Sequence, residues 1–223
     1  MSKLNSGIII IGDEILSGRT QDTNSNFIAK KLIESGIELE EIKIIHDNKD
    51  LIKESVLDFH KKYTYVFTTG GIGPTHDDIT SESISFAFNK RYCFHSKAYK
   101  ILEEYYPKGE FNEGRKKMAK MPEHVELILN PLTAAPGFII KNVYVLPGVP
   151  KIMKTVIGRL AAAPPKAMMP NTTKCITAVM LNIQNKSLLR TVTAAIRFAR
   201  SCAVFIPKSF FCALRVTKAN YYY

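Results

Sequence analysis

The sequence predicts an α/β domain with a mainly parallel, doubly wound sheet, followed by an atypical basic carboxyl-terminal segment. Over the first 150 residues, short apolar runs rich in β-branched residues alternate with helical patterns, and glycine-rich turns follow several of these runs. After Glu126 the chain has no acidic residue. Strand–helix alternation is typical of parallel sheets, which bind ligands at the carboxyl ends of their strands.

The first elements are indicated by residue type and spacing. Gly7–Gly12 is short and apolar, which predicts a strand buried on both faces. The next segment begins with candidate helix caps at Asp22–Asn24 and continues with helical spacing to Gly36. Ile42–Ile45 predicts the second strand, and Asp47 lies just beyond its end.

The later elements continue the alternation. Asp50 is the predicted cap of a second helix, and Tyr65–Thr69 is the predicted third strand, which leads into a glycine-rich turn. Helical spacing resumes in two segments, and two apolar runs then suggest a hairpin. The predicted helices are Thr80–Phe88 and Ser96–Tyr106, and the predicted hairpin strands are Phe138–Ile140 and Val143–Leu146.

The positive charge is confined to one end of the chain. Residues 1–126 hold 18 basic and 20 acidic residues, whereas residues 127–223 hold 13 basic residues and no acidic ones. After Lys154 the runs Ala161–Pro165 and Met168–Pro170 break the regular pattern, so we divide the chain into an α/β domain at 1–154 and a basic segment at 155–223. The basic residues of this segment stand singly, without interleaved aromatic residues, so we expect no nucleic-acid partner. We expect the segment to pack poorly and to contribute little to a site.

The sequence also disfavours a membrane protein and a zinc-binding protein. No apolar run approaches the roughly 20 residues that span a bilayer, so we expect no membrane association. The four cysteines lack the spacing of zinc ligands, which suggests free thiols in a cytoplasmic protein. They are Cys93, Cys175, Cys202 and Cys212.

The strongest functional pattern is the run Thr68–Thr80, TTGGIGPTHDDIT. Glycines after a strand let the backbone approach a ligand, and consecutive N–H groups can bind an anion. The adjacent Asp77 and Asp78 offer the oxygen ligands that divalent ions prefer. Thr80 can open a helix whose amino terminus favours phosphate. The alternative is a glycine-rich turn whose acids only cap the helix.

Two other loops carry weaker signals. Asp13 follows the first strand between Gly12 and Gly18, where its carboxylate could bind sugar hydroxyls. Asn24 could meet a ligand, although its local chemistry favours a helix cap. Pro147–Pro150, PGVP, could form a pocket wall or a simple turn. Of the five histidines, we expect only His76 to lie in a candidate site.

These loops together resemble the molybdopterin-binding-like domain of the competence/damage-inducible protein A (CinA) family, over roughly residues 5–154. The same domain is fused to some eukaryotic FAD synthases. The matching segments are Gly12–Gly18, Thr69–Thr80, Ala135–Phe138 and Leu146–Pro150.

The resemblance implies a three-layer α/β/α fold related to molybdopterin adenylyltransferases. Similar members hydrolyse the pyrophosphate of ADP-ribose or FAD with a divalent metal such as Mg²⁺, Mn²⁺ or Co²⁺. We therefore predict a metal-dependent nucleotide pyrophosphatase with Asp78 and Asp47 as catalytic residues, Asp77 and Asp78 at the metal, and His76 as the reserve base. The residues predicted to bind substrate are Gly12, Asp13, Asn24, Gly70, Gly71, Gly73, Thr75, Thr80, Pro147 and Gly148.

Two alternatives stay open. One is a molybdopterin-binding or adenylylating protein of molybdenum cofactor biosynthesis, which would use the same loops on a pterin. The other is a degenerate binding module without catalysis, suggested by the unusual carboxyl-terminal segment. The expected partner is a small nucleotide or pterin. Because related domains associate as dimers or trimers, a homo-oligomer is an alternative to a monomer.

Overall fold

The computed structural model of the protein describes residues 4–162, and a six-stranded sheet forms its centre. The strands in this part of the chain are β1 (Asn5–Ile11), β2 (Glu38–Ile45), β3 (Tyr65–Thr69), β4 (Tyr92–Phe94), β5 (Lys120–Pro122), β6 (Glu126–Ile128), β7 (Gly137–Ile140) and β8 (Val143–Leu146). The helices are α1 (Asp13–Leu16), α2 (Asn24–Glu34), α3 (Lys49–Lys62), α4 (Thr80–Ala87), α5 (Ser96–Tyr105), α6 (Glu113–Lys117) and α7 (Pro150–Ala162).

The main sheet has the strand order β2-β1-β3-β8-β7-β6. In this order β2, β1, β3 and β8 are parallel to one another, whereas the pairs β8–β7 and β7–β6 are antiparallel. The predicted hairpin is therefore the β7–β8 pair. A separate antiparallel ribbon, β4–β5, was not predicted. The mainly parallel sheet confirms the predicted fold class.

The layering follows from the alternation of side chains along a strand. Ile9 and Ile11 of β1 belong to an apolar cluster with Phe59 of α3, whereas Ile8 and Ile10 belong to another cluster with Ile28 of α2. A strand that contributes to two apolar clusters needs helices on both faces. The three-layer α/β/α arrangement suggested by the resemblance is thus confirmed.

One predicted helix cap is wrong, and the other is confirmed at one residue of the predicted segment Asp22–Asn24. Asn48, rather than Asp50, caps α3, because the Asn48 side chain accepts hydrogen bonds from the backbone N–H groups of Asp50 and Leu51. At the start of α2 the carboxylate of Asp22 accepts from the N–H groups of Asn24 and Ser25. The side chain of Asn24 is therefore not needed as a cap.

Helix α7 crosses the predicted domain boundary at residue 154. Met153, Val156 and Ile157 are buried in the same apolar cluster as Ile28. The expectation of poor packing is therefore wrong for Val156 and Ile157, because these side chains complete the apolar face under α7. Residues 163–223, which include three of the four cysteines, lie outside the described residues.

None of the helices within residues 4–162 combines the length and apolar character needed to cross a membrane.

Candidate functional site

The carboxyl ends of β1, β2, β3 and β8 meet at one edge of the sheet. This topology brings together the loops that begin at Gly12, His46, Gly70 and Pro147. Backbone hydrogen bonds extend the pairing just past the strands: the N–H of Gly12 donates to the carbonyl of Ile45 at 3.2 Å, and that of Gly70 to Leu146 at 3.3 Å. This edge of the sheet thus brings together predicted site residues that are far apart in the sequence.

The glycine turn after β3 is packed against its neighbours on two sides. A Cβ on Gly70 would overlap the backbone carbonyl oxygen of Ile11 at the end of β1. A Cβ on Gly148 would lie 3.1 Å from the Cα of Gly70. Side chains are therefore excluded here, and the backbone itself forms the floor of the site.

Gly71 contacts Thr80 and approaches Asp47. Its φ of +65° favours glycine, and a Cβ at this position would overlap Thr80 Oγ1 and lie 3.5 Å from Asp47 Oδ1. The backbone N–H of Thr80 donates to the carbonyl of Gly71 at 3.0 Å, which fixes the start of α4 beside the turn. The missing side chain of Gly71 thus lets the turn pack closely against a hydroxyl and beside a carboxylate.

Three buried side-chain atoms within residues 4–162 have no hydrogen-bond partner: Asn24 Oδ1, Thr68 Oγ1 and Thr80 Oγ1. All three lie around the end of β3. Thr68 belongs to that strand, Thr80 Oγ1 adjoins Gly71, and Asn24 lines a cleft together with Gly70. An unpaired buried polar group destabilises a fold by about 1–3 kcal/mol. A ligand at this edge can supply the missing partners.

Asp47 is held beside Asp13. The backbone N–H of Asp13 donates to Asp47 Oδ2 at 3.0 Å. Partial burial raises the pKa of Asp47, and the negative charges of Asp13, Glu14 and Asp77 raise it further, against the lowering effect of the Asp13 N–H. A half-buried carboxylate among like charges binds a proton more readily than an isolated one.

His46 also belongs to the site, which corrects the expectation that only His76 would do so. His46 Nδ1 lies 2.6 Å from Asp13 Oδ1, and both side chains are exposed. The position of His46, one residue before Asp47 at the end of β2, is the sequence signal that could have indicated it. The side chain of His76 is 100% exposed, with Nδ1 4.0 Å from Asp77 Oδ1.

Thr75 holds the carboxylate of Asp78. Its backbone N–H donates to Asp78 Oδ2 at 2.8 Å, and its hydroxyl donates to the same oxygen. Thr75 also lowers the pKa of the exposed Asp77, whose own N–H acts in the same direction. The hydroxyl has one proton and can serve only one of the two carboxylates at a time. Thr75 thus orients the acidic pair.

Helix α6, which was not predicted, supports this loop from outside. The ammonium of Lys117 donates to the backbone carbonyls of Thr75 and His76. A Cβ on Gly114 would lie 3.0 Å from the carbonyl oxygen of Pro74. The available sequence signal was only a glycine and a lysine three residues apart, which many surface helices share.

The predicted metal ligands, Asp77 and Asp78, are not joined by a third protein ligand in the part of the chain that the structure describes. Within residues 4–162, no group of three or more His, Cys, Asp or Glu side chains is arranged to hold a metal ion. Mg²⁺ commonly binds through one or two carboxylates and takes its other ligands from water and phosphate. Asp77 and Asp78 fit only that kind of binding, and their role at a metal stays a prediction.

A cleft lies on the α2 side of the same edge, with an empty volume of about 350 Å³ that is open to solvent. Glu14, Asp22, Asn24 and Thr69 are among its polar lining residues. Asn24 is 7% exposed, and its Nδ2 donates to the carbonyl of Gly148 at 2.6 Å. The side chain that local chemistry favoured as a cap therefore joins α2 to the loop after β8.

Comparisons with known proteins agree with this architecture. Residues 7–165 match the family described as probable molybdopterin binding domain. A protein of Archaeoglobus fulgidus is 39% identical over 153 residues, which cover 69% of this chain and 66% of that protein. A putative competence-damage inducible protein of Clostridium tetani is 38% identical over 66% of this chain, but the match covers only 38% of that protein.

Two solved structures show the same fold. The protein CinA from Thermoplasma acidophilum, described as having unknown function, has a TM-score of 0.67 and 32% identity over 71% of this chain and 97% of its own. The molybdopterin biosynthesis enzyme MoaB from Thermus thermophilus has a TM-score of 0.51 and 16% identity, over 78% of this chain and 97% of its own. From these matches and the sheet described above, the chain belongs to the molybdopterin binding domain family, as a CinA-type amino-terminal domain related in fold to MoaB.

Proposed function

We propose that this domain binds a phosphorylated pterin of the molybdopterin type at the carboxyl edge of its sheet. The observation that carries the proposal is the grouping of unpaired buried polar atoms around the end of β3, at Asn24, Thr68 and Thr80. Burial without a partner is costly, so such atoms mark a place where a ligand can complete the hydrogen bonding. The family to which the chain belongs supports a pterin as that ligand.

The turn after β3 suits the phosphate of such a ligand. Gly70 is buried and Gly71 is half-buried, and a side chain at these positions would overlap Ile11 or Thr80, so the turn borders the site with backbone alone; Thr80 begins α4. Backbone N–H groups and the amino terminus of a helix attract phosphate. The nearby carboxylates repel phosphate. A divalent cation at Asp77 and Asp78 would supply positive charge that neutralises both the carboxylates and the phosphate.

Hydrolysis of a nucleotide pyrophosphate is a second candidate, favoured by Asp47. Its raised pKa and its position beside Gly71 suit a general base, which takes a proton from water as the water oxygen bonds to phosphorus. The bridging P–O bond then breaks. For ADP-ribose the products would be AMP and ribose 5-phosphate. In this reaction Asp78 would act at the phosphates and Asp47 would hold the proton.

The test is to incubate the full chain with molybdopterin, ADP-ribose and FAD, with and without Mg²⁺, Mn²⁺ or Co²⁺. Retention of molybdopterin without release of AMP supports pterin binding. Release of AMP that is lost in Asp47→Asn and Asp78→Asn supports the hydrolase instead. Failure to bind or cleave any of the three would overturn both proposals and leave a degenerate module.

A matched pair of variants tests the phosphate position. Thr80→Val removes the unpaired hydroxyl, whereas Thr155→Val removes a hydroxyl on α7 that donates to the carbonyl of Lys151. We expect the first variant to weaken molybdopterin binding about tenfold, the effect of one lost hydrogen bond. The second should bind like the unmodified protein. Equal affinities for both variants would remove Thr80 from the site.

A further inference from the structure

We infer that strand β2 is an interface at which a second copy of this chain pairs edge to edge and continues the sheet. β2 is an outermost strand of the main sheet, and none of the strands within residues 4–162 bonds to its outer side. With eight residues it is the longest strand in this range. The backbone groups along a free edge can bind a further strand. This surface runs along the side of the sheet, so the inference is independent of the proposed function.

Two isoleucines of β2 are exposed although their neighbours in the sheet are buried. Ile42 and Ile44 are 46% and 41% exposed, whereas Ile8 and Ile10, which lie beside them on β1, are buried. The apolar cluster that includes α2 therefore covers the row on β1 and leaves the row on β2 in solvent. A second copy placed against β2 would join the two exposed rows into one apolar surface.

The backbone of the two exposed isoleucines points toward the open side. The carbonyl of Ile45 accepts a hydrogen bond from the N–H of Gly12, so it is directed toward the chain of β1. Because successive residues of a strand direct their backbone groups to opposite sides, the groups of Ile44 and Ile42 point away from β1. These two residues can therefore exchange hydrogen bonds with a neighbouring strand.

The charges on β2 are complementary to those of a second copy. Glu41 and Lys43 flank Ile42, and both lie on the face of the sheet that packs against α3. Consider an antiparallel pair related by a two-fold axis at Ile42. Glu41 of each copy then lies opposite Lys43 of the other, because a symmetric interface repeats each contact twice. Two ion pairs and a contact between the two Ile42 side chains stabilise such a pair of strands.

Both charged groups are able to form these ion pairs. The contacts of Glu41 with Lys62 and Tyr63 use Oε2 alone, which leaves Oε1 for a further cation. Lys62, followed by Tyr63, also lowers the pKa of Glu41, so this carboxylate is ionised at neutral pH. Lys43 has no carboxylate within ion-pair distance in the described part of the chain. A second copy supplies the carboxylate that Lys43 lacks.

The charges also select the register of the two strands. An axis at Lys43 would place two ammonium groups directly opposite each other, and an axis at Glu41 would do the same with two carboxylates. Like charges in these positions destabilise a strand pair. An axis at Ile44 would place Lys43 opposite Ile45 and form no ion pair with Glu41. The register centred on Ile42 is therefore favoured, and assembly through β2 ends at a dimer because each copy has one such edge.

Protection of the edge is the competing explanation. The pairing of β1 with β2 shifts by one residue between Leu39 and Glu41, and bulges and charged side chains are features by which proteins block edge pairing. The two explanations predict different states in solution. A protected edge gives a monomer, whereas a paired edge gives a dimer.

The first experiment measures the mass of the full chain by light scattering and sedimentation over a range of concentrations. We expect the unmodified protein to be a dimer. Ile42→Asp places two carboxylates at the centre of the interface and should raise the dissociation constant at least about tenfold. Phe86→Asp is the matched control, because Phe86 is 57% exposed on α4 rather than on β2, and this variant should stay a dimer.

A charge exchange tests the register. Glu41→Lys and Lys43→Glu each place like charges opposite each other, so each variant alone should dissociate at least about tenfold more readily. An equimolar mixture should recover the dimer, because the heterodimer brings both glutamates opposite both lysines. Lys53→Glu changes the net charge by the same amount on the exposed side of α3 and should stay a dimer.

Urea titration checks that each variant is folded. Glu41→Lys also loses the contacts with Lys62 and Tyr63, so Ile42→Asp and Lys43→Glu decide the proposal if that variant does not fold.

A monomer at every concentration overturns the proposal and supports protection of the edge. A dimer or larger assembly that persists in both Ile42→Asp and Lys43→Glu also overturns it, because the copies then meet on another face. Failure of the mixed, folded charge variants to recover the dimer overturns the register centred on Ile42. None of these outcomes involves a ligand, so each leaves the proposed function as it stands.

Discussion

Replacement of Gly71 by alanine tests the close approach on which the site is built. Gly71 and Gly36 have nearly the same backbone conformation, with φ of +65° and +71°. A Cβ on Gly36 would have no atom within 4 Å, whereas a Cβ on Gly71 would overlap Thr80 Oγ1 and lie 3.1 Å from Thr80 Cβ. The two variants therefore share the backbone penalty and differ in the steric one.

The expected losses follow from these two terms. Left-handed backbone destabilises an alanine by about 1–2 kcal/mol relative to glycine, and this is the whole effect expected of Gly36→Ala. Insertion of a methyl group into a filled space adds about 1–3 kcal/mol. Gly71→Ala should therefore lower the free energy of unfolding by about 2–5 kcal/mol, clearly more than its control.

Urea denaturation of the full-length variants measures both losses under one set of conditions. Addition of Thr80→Ala to Gly71→Ala removes the overlapping oxygen and should restore most of the steric part, whereas its addition to Gly36→Ala should restore nothing. Equal destabilisation by the two glycine replacements, or no coupling between Gly71 and Thr80, would refute the close packing of the turn against α4.

Three other outcomes are expected. Burial and like charges raise the pKa of Asp47 in the folded state, so the ionised carboxylate destabilises the fold once the pH rises through that pKa. Asp47→Asn should therefore have a free energy of unfolding at neutral pH at least equal to that of the unmodified protein. In a series of urea titrations, the difference between the two proteins should shrink toward acid pH. Asn142→Ala removes two hydrogen bonds to the carbonyls of His60 and Tyr63, and the same titration at neutral pH should show a loss of about 1–3 kcal/mol, whereas an unchanged midpoint would contradict it. Lys117→Met should speed amide hydrogen exchange in residues 75–78, whereas Lys117→Arg, which keeps a donor, should exchange nearly as slowly as the unmodified protein; identical exchange in both variants would show that the lysine does not hold the loop.

Much of the architecture could be predicted because its signals are local. The strand Tyr65–Thr69 was predicted with the bounds that the structure has, since five residues of strand-forming type end at a glycine pair. Strand β1 and the β7–β8 hairpin were predicted for similar reasons. The ribbon β4–β5 was missed, because each of its strands has three residues and gains its stability from pairing across 26 residues of chain.

The helix starts show where local chemistry is ambiguous. Asp22 and Asn24 are both good caps by residue type, and Asp50 and Asn48 are likewise interchangeable in sequence. In the structure, the side chains of Asp22 and Asn48 accept hydrogen bonds from the free N–H groups at the helix starts. Which neighbour becomes the cap depends on the direction in which the chain enters the helix, and a few residues of sequence do not fix that direction.

The sequence by itself determined that the loops with glycine and acidic residues follow parallel strands, because short apolar runs and glycine turns specify the strand ends. Only the tertiary structure decided which side chains meet there. Asn24 bonds to Gly148 across 124 residues, and His46 reaches Asp13 across 33. These contacts depend on the order of the strands in the sheet, which places β1 between β2 and β3, and β3 next to β8. Strand order is set by the packing of all the layers together, so no single segment of the sequence carries it.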